Sequence, residues 1–193
     1  ASAGSMDPIT HNTVRGNGFV NVGGGAATTE PPGVIAYDYS GSNVVLSRNV
    51  IRNNAGPGLL LMRVTGTQIT QNSFQSNGGL GIDLDARSID PNTLGAPEGV
   101  SLNDLNDADP GPPNGLLNYP VITRASLVGG ELSFAGFARP GSAIELYVAQ
   151  TDPSGFGEGL TWLGTFVEGS AADLATGTGT YGPAAINGIV QGT

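Results

Sequence analysis

The sequence lacks cysteine and lysine and has few charged residues of any kind. It has 193 residues, its seven basic residues are all Arg, and it has one His. Without Cys, neither a disulfide framework nor a thiolate metal site can form. No apolar run reaches the length of a transmembrane helix, so we expect no membrane insertion. Residues 1–6 lack the charged and apolar regions of a signal peptide and are interpreted as a cloning scar.

The balance of charge is acidic. Sixteen carboxylates against seven Arg give a net charge of -9, and no basic run occurs. Such a chain repels a phosphate backbone, so nucleic acid is not expected as a partner. An acidic surface is compatible with the binding of divalent cations, and solubility alone also explains it.

Asn and Gly recur at fixed offsets in the first half. Residues 9–18, 46–55 and 69–78 each read apolar, x, x, Asn, x, apolar, x, x, Asn. Among the first Asn residues of the repeats, Asn12 and Asn49 are 37 residues apart (49 − 12), and Asn49 and Asn72 are 23 residues apart (72 − 49). A period of this size with Asn and Gly at set offsets indicates a solenoid, and residues 23–32 are interpreted as an insertion in one coil. The expected third strands of the coils are Phe19–Val22, Leu59–Leu61 and Ile82–Leu84.

Elementary stereochemistry assigns a role to each repeated position. The apolar side chains should point inward and stack between coils. The first Asn of each repeat is expected at a corner, where Asn tolerates a left-handed backbone and its amide can hydrogen-bond along the axis. A Gly is expected to open each third strand, either for positive φ or for close packing. These positions are Asn12, Asn49 and Asn72, with Gly18, Gly58 and Gly81.

These repeats resemble the parallel β-helix repeats of the pectate-lyase-like superfamily over residues 7–86. The resemblance is specific for fold and implies little about activity. Asp83 and Asp85, with Asp38 one coil earlier, are the candidate catalytic carboxylates, but turn or cap chemistry also explains them. The single His11 occupies an outward position that Arg48 and Gln71 fill in the other coils. We therefore expect no catalytic residues and no enzyme.

A second module follows an Asn-, Asp- and Pro-rich stretch. We expect the β-helix over 1–100, an acidic linker over 101–118 and a β-sandwich of Ig-like type over 119–193. Alternation with a period of two predicts strands at 119–125, 131–137, 143–148 and 161–167. The fold class is thus all-β, a short right-handed parallel β-helix followed by an Ig-like sandwich.

The order of these elements is similar to a recurrent pair in large bacterial secreted and surface proteins. In those proteins a β-helix passes through an acidic linker into a β-sandwich, which implies an extracellular or cell-surface setting. Such sandwiches continue with one more strand past the equivalent of residues 186–193. The missing strand would leave an open edge, explained either by a chain boundary or by a strand from a neighbouring copy.

Two loops and a few aromatic rings are the candidate binding residues. Oxygen ligands close in sequence suit calcium, the one cofactor that the sequence suggests, although Asx-turns explain both loops without a metal. Exposed aromatic rings can stack on sugar rings, although in strands they also serve as core or edge cover. The calcium candidates are Asn103, Asp104, Asn106, Asp107 and Asp109, with Asp152 and Glu158 in a second loop; the carbohydrate candidates are Tyr37, Tyr39, Phe156 and Trp162.

The sequence predicts a non-catalytic structural or adhesive module of an extracellular bacterial surface protein. Its copies, or neighbouring domains of a larger protein, are expected to join by strand pairing at open β edges, which would build fibres. The alternative is an accessory carbohydrate-binding module of a secreted polysaccharide-degrading enzyme, with a polysaccharide as its partner.

Overall fold

A computed structural model describes residues 8–16, 31–37, 44–87, 98–109, 111–175 and 188–192. The chain divides into two compact units. The first comprises Ala1–Ser101, Gly111–Leu116 and Tyr147–Leu163. The second comprises Leu102–Pro110, Leu117–Leu146 and Gly164–Thr193.

The first unit contains three coils of parallel strands. Each coil contributes one short strand to each of three parallel sheets, whose orders are β1-β4-β7, β2-β5-β8 and β3-β6-β9. The strands are β1 (Ile9–Thr10), β2 (Thr13–Arg15), β3 (Val34–Tyr37), β4 (Val45–Ser47), β5 (Val50–Arg52), β6 (Leu59–Met62), β7 (Gln68–Thr70), β8 (Ser73–Gln75) and β9 (Ile82–Asp85).

Stacking between coils closes a narrow apolar core. In register, Ile9 lies beside Leu46 and Leu46 beside Ile69, while Ile51 lies beside Phe74. Like side chains thus stack at the strand spacing of about 4.8 Å. The buried members of this core are Val44, Leu46, Ile51, Leu59, Leu61, Val64 and Phe74.

The register corrects the prediction for the third strand of the first coil. β3 (Val34–Tyr37) pairs with β6, so it holds the position that we had expected for Phe19–Val22. The connection from Arg15 to Val34 advances 19 residues (34 − 15), against 7 from Arg52 to Leu59 (59 − 52). The insertion is therefore placed between β2 and β3. Residues 17–30 themselves lie outside the described residues.

The glycine that opens the third strand of the first coil also differs from the prediction. Gly33, not Gly18, opens the third strand of the first coil, in line with Gly58 and Gly81. At Gly58 a Cβ atom would lie 2.6 Å from the Phe74 ring and 2.8 Å from the Gly81 carbonyl oxygen. Close packing between coils, rather than positive φ, therefore requires glycine here.

The second unit is antiparallel and has its own core. β10 (Val121–Val128), β11 (Glu131–Ala138) and β14 (Gly188–Gly192) form one sheet in that order. β12 (Ala143–Gln150) and β13 (Glu158–Val167) form a two-stranded sheet, whose residues Tyr147–Leu163 belong to the first unit. Phe134 and Phe166 meet edge to face, with ring centroids 5.2 Å apart, beside buried Ile144. The all-β prediction, a parallel β-helix followed by a sandwich of antiparallel strands, is confirmed.

Candidate functional site

A ladder of asparagines runs along the β-helix at the corner before β2, β5 and β8. The amide nitrogen Nδ2 of Asn12 donates to Oδ1 of Asn49 at 3.2 Å, and that of Asn49 donates to Oδ1 of Asn72 at 2.9 Å. The backbone N–H of Asn12 and of Asn49 donates to the same two oxygens, both at 3.0 Å. Asn49 and Asn72 are buried. The predicted column of hydrogen-bonded amides is confirmed.

The left-handed residues of this corner are not the asparagines themselves. Positive φ occurs one residue earlier, at His11 (56°), Arg48 (55°) and Gln71 (55°). The prediction of left-handed Asn was wrong because Asn serves as the rung of the ladder. The preceding residue makes the turn, and its side chain points away from the core.

A second ladder ends on a glutamate. Nδ2 of Asn54 donates to Oδ1 of Asn77 at 2.8 Å, and Nδ2 of Asn77 donates to Oε1 of Glu158 at 2.6 Å. The backbone N–H of Asn77 also donates to this carboxylate, at 3.2 Å to Oε2. Glu158 therefore supplies the acceptor that a fourth coil would otherwise supply. It caps the ladder.

Burial sets the electrostatics of this cap. Glu158 is only 1% exposed, and burial raises the pKa of its carboxyl group, while hydrogen bonds from Asn77 act in the opposite direction. No arginine pairs with it among the described residues. Hydrogen-bond donors, rather than a counter-charge, hold this buried carboxylate.

Other residues of the first unit cover the remaining edges of the last coil. Oδ1 of Asn114 accepts the backbone N–H of Thr67, and its Nδ2 donates to the Thr67 carbonyl oxygen. Ser101 Oγ donates to the carbonyl oxygen of Leu84 at 3.0 Å. Ser73 Oγ donates to the carbonyl oxygen of Leu160 at 2.6 Å. Side chains thus cap the backbone of Thr67, just before β7, and of Leu84 in β9, while β8 contributes the Ser73 hydroxyl, and these contacts oppose end-to-end strand addition at this end.

Asp83 and Asp85 lie on one face of β9, as their spacing predicted. Asp83 is 1% and Asp85 0% exposed. Burial opposes ionisation of Asp85, but its hydrogen bonds and ion pair with Arg87 outweigh this effect and lower its pKa. Burial raises the pKa of Asp83 to about 6, and its Oδ1 has no hydrogen-bond partner. Asp38 lies outside the described residues.

The raised pKa of Asp83 predicts a dependence of stability on pH. Between about pH 4 and pH 6 the folded chain holds this proton and the unfolded chain does not, so stability falls as pH rises through that window. The rise from 3.8 to about 6 corresponds to up to about 3 kcal/mol. Urea unfolding of Asp83→Asn should show a flatter pH profile than the wild type. Identical slopes for both proteins between pH 4 and pH 6 would refute this assignment.

The first candidate calcium loop is closed by its own hydrogen bonds. Oδ1 of Asn103 accepts the backbone N–H of Tyr119, and Oδ2 of Asp104 accepts that of Ala108. Oδ2 of Asp107 lies 2.8 Å from the Arg139 guanidinium. Of the other two candidate ligands in this loop, Asn106 has a left-handed backbone and Asp109 is exposed.

The second candidate calcium loop uses its carboxylates for capping. Oδ1 of Asp152 accepts the backbone N–H groups of Ser154 and Gly155, while Glu158 binds Asn77. Oδ2 of Asp152 is buried without a hydrogen-bond partner. Within the described ranges, no three His, Asp or Glu side chains converge as a metal site. Calcium at either loop stays a prediction.

The candidate sugar-binding rings lie apart. Arg63 lies over the Tyr37 ring, 5.7 Å from its centroid, and also donates to the Tyr37 hydroxyl oxygen. Phe156 is 63% and Trp162 40% exposed. No ring contact joins these three in the described part of the chain. Tyr39 lies outside it, and carbohydrate binding stays a prediction.

Strand β10 presents apolar side chains at the edge of its sheet. Its only strand partner among the described strands is β11, and their register shifts between Ile122 and Arg124. Leu127 is 71% and Val128 73% exposed at the end of this strand. A long edge strand with exposed apolar side chains is a template for pairing with another chain. The sequence predicted a strand over 119–125, which ends before Leu127 and Val128, and it did not predict which edge is open.

Comparison with known families supports the first unit. Residues 5–95 match the family model described as right handed beta helix region. Neither the curated proteins nor the solved structures gave a match to the chain. None of the helices in the described residues is long and apolar enough to cross a membrane. The β-helix part of the resemblance is therefore confirmed, and the chain contains a right-handed β-helix region.

Proposed function

We propose that the protein is a non-catalytic structural module of an extracellular surface protein, and that two copies join by antiparallel pairing of their β10 strands. The exposed edge of β10, with Leu127 and Val128 more than two-thirds exposed, carries this proposal. Pairing would satisfy the free backbone groups of this edge and place a neighbouring strand beside Leu127 and Val128, which lie on opposite faces of the sheet.

The β-helix supports a structural rather than a catalytic role. Its carboxylate pair, Asp83 and Asp85, is at most 1% exposed, so a substrate has no access to it in this conformation. Its polar groups serve the Asn ladders and their caps. Both features suit a rigid spacer or display element.

Charged substitutions in β10 test this function. Leu127→Lys with Val128→Lys places two like charges on each strand at the paired edge, so the dimer should dissociate to monomers. Sedimentation velocity over a concentration series measures the change. Leu102→Lys with Leu105→Lys is the matched control, since these loop residues are 77% and 57% exposed and the net charge changes equally.

Two sedimentation results would contradict the pairing of copies through β10. If the β10 variant and its loop control sediment alike, or if the wild type stays monomeric at every concentration, copies do not join through β10. Circular dichroism of both variants, which should match the wild type, separates a lost contact from a lost fold.

A further inference from the structure

The outer face of the first two coils is cationic although the protein is acidic. From Pro8 to Ile82 the described residues contain four arginines and no carboxylate. Four cationic or titratable side chains, which we call the arginine face, lie on β2, β5 and the corners before them: His11, Arg15, Arg48 and Arg52.

Stacking places like charges next to each other on this face. Arg15 and Arg52 are partners in the register of β2 and β5, so their backbones are about 4.8 Å apart. Like charges directly opposite each other destabilise a strand pair. On the third coil, Gln71 and Gln75 occupy the two equivalent positions.

The arginine face has no acidic partner among the described residues. The described ion pairs involve Arg87 and Arg139 only. Nε of Arg52 is buried without a hydrogen-bond acceptor. Nε of Arg48 donates to Oε1 of Gln71, a neutral group. These guanidinium groups therefore lack the carboxylates that arginine prefers.

The second unit has the complementary charge. It contains seven carboxylates and two arginines, a net charge of -5 (2 − 7). Of these carboxylates, Asp109 and Glu131 are exposed and three more are half-buried, against exposed Arg124 and an Arg139 that is already paired with Asp107. A second copy of the chain thus offers an acidic surface to the arginine face.

We infer that the arginine face binds the acidic second unit of another copy. This inference rests on the proposed function, because β10 pairing alone joins only two copies and a second contact is needed to join one dimer to the next. Pairing of two β10 strands is self-complementary and closes as a dimer. The contact between the arginine face and the second unit joins unlike surfaces, so it extends dimers into fibres.

The test compares the assembly of two variants with the same net charge. Arg15→Gln with Arg52→Gln lowers the net charge from -9 to -11 on the arginine face. Thr65→Glu with Gln68→Glu gives the same -11 at exposed positions of the first unit that lie outside the arginine face. The first variant should stop at the dimer, with self-association beyond the dimer at least about tenfold weaker. The second should assemble as the wild type does.

Salt provides an independent readout by sedimentation velocity. Wild-type assemblies larger than the dimer should revert to dimers between about 0.05 M and about 0.5 M NaCl, because salt screens exposed charges. The inference is overturned if the Arg15→Gln, Arg52→Gln variant forms wild-type assemblies, or if salt has no effect on them. It is also overturned if the wild type stops at the dimer and heparin binds it through these arginines, since the partner is then a polyanion.

Failure of the proposed function and failure of this inference give different experimental results. Failure of β10 pairing leaves the Leu127→Lys, Val128→Lys variant as dimeric as the wild type. Failure of the arginine contact leaves β10 pairing intact and removes only the dependence of larger assemblies on Arg15 and Arg52.

Discussion

Replacing Glu158 with Ala should destabilise the first unit by about 3 kcal/mol. The change removes the acceptor of the backbone N–H of buried Asn77 and one of the two acceptors of its Nδ2 group, which still donates to the Ile51 carbonyl oxygen. An unsatisfied buried group costs about 1–3 kcal/mol, and the lost side chain adds a cavity. Urea unfolding followed by circular dichroism measures the loss. Glu131→Ala, on an exposed strand position, should stay within about 0.5 kcal/mol of the wild type.

Glu158→Gln separates the cap from its charge. In the inner rungs a single amide oxygen accepts both donors, as Oδ1 of Asn77 does from Asn54. The introduced glutamine can accept in the same way without burying an ionised group, so this variant should match or exceed wild-type stability at pH 7.5. Because burial raises the pKa of Glu158, the variant should also lose the fall in stability above the ordinary pKa of 4.5. A loss as large as that of Glu158→Ala would show that the charge is essential.

Asn49→Ala should cost about 2–4 kcal/mol of unfolding free energy, the second large effect. Its side chain accepts from both nitrogens of Asn12 and donates to Oδ1 of Asn72 and to the carbonyl oxygen of Ile9. Several hydrogen bonds therefore disappear around a side chain that is only 3% exposed.

The end of the same ladder supplies the control. Asn12 is exposed and has only Asn49 as a ladder neighbour among the described residues, so Asn12→Ala should cost less than about 1 kcal/mol. Equal losses at Asn12 and Asn49, measured by urea unfolding, would contradict a ladder whose strength lies in its buried rung.

The stacking of the coils was predictable because every repeat presents the same residue types at the same offsets. Asn49 and Asn72 recur 23 residues apart, and the structure pairs their amides. The same logic predicted the antiparallel strands, since alternation in residues 131–137 and 143–148 matches β11 and β12.

Because of the insertion, the third strand of the first coil was predicted at the wrong residues. Phe19–Val22 follows Gly18 as Leu59–Leu61 follows Gly58, so local pattern favoured it as the third strand. Register across coils decides otherwise, and Val34–Tyr37 pairs with β6. A short apolar run cannot show which of two candidates lies in the stack. The Gly33 signal before Val34 was available, but no local rule ranks it above Gly18.

Long sequence separation hid the ladder cap. Glu158 lies 81 residues from Asn77, so no spacing rule connects them, and its local neighbour Asp152 suggested calcium instead. The unpaired edge of β10 was hidden for the same reason, since sheet order depends on contacts between distant segments. Local patterns predict strands, but they do not predict which strand ends a sheet.

Disulfide trapping tests the β10 dimer most directly, because the chain has no cysteine of its own. Single Cys residues would replace each position from Arg124 to Val128 in turn, with Ala171→Cys as the exposed control. In an antiparallel pair of identical strands, positions near the two-fold axis bring their Cβ atoms within about 4.5 Å and should cross-link on mild oxidation. We predict covalent dimers at one or two β10 positions and none at Ala171→Cys. Equal cross-linking at all sites, or none in β10, would contradict pairing of copies through this strand.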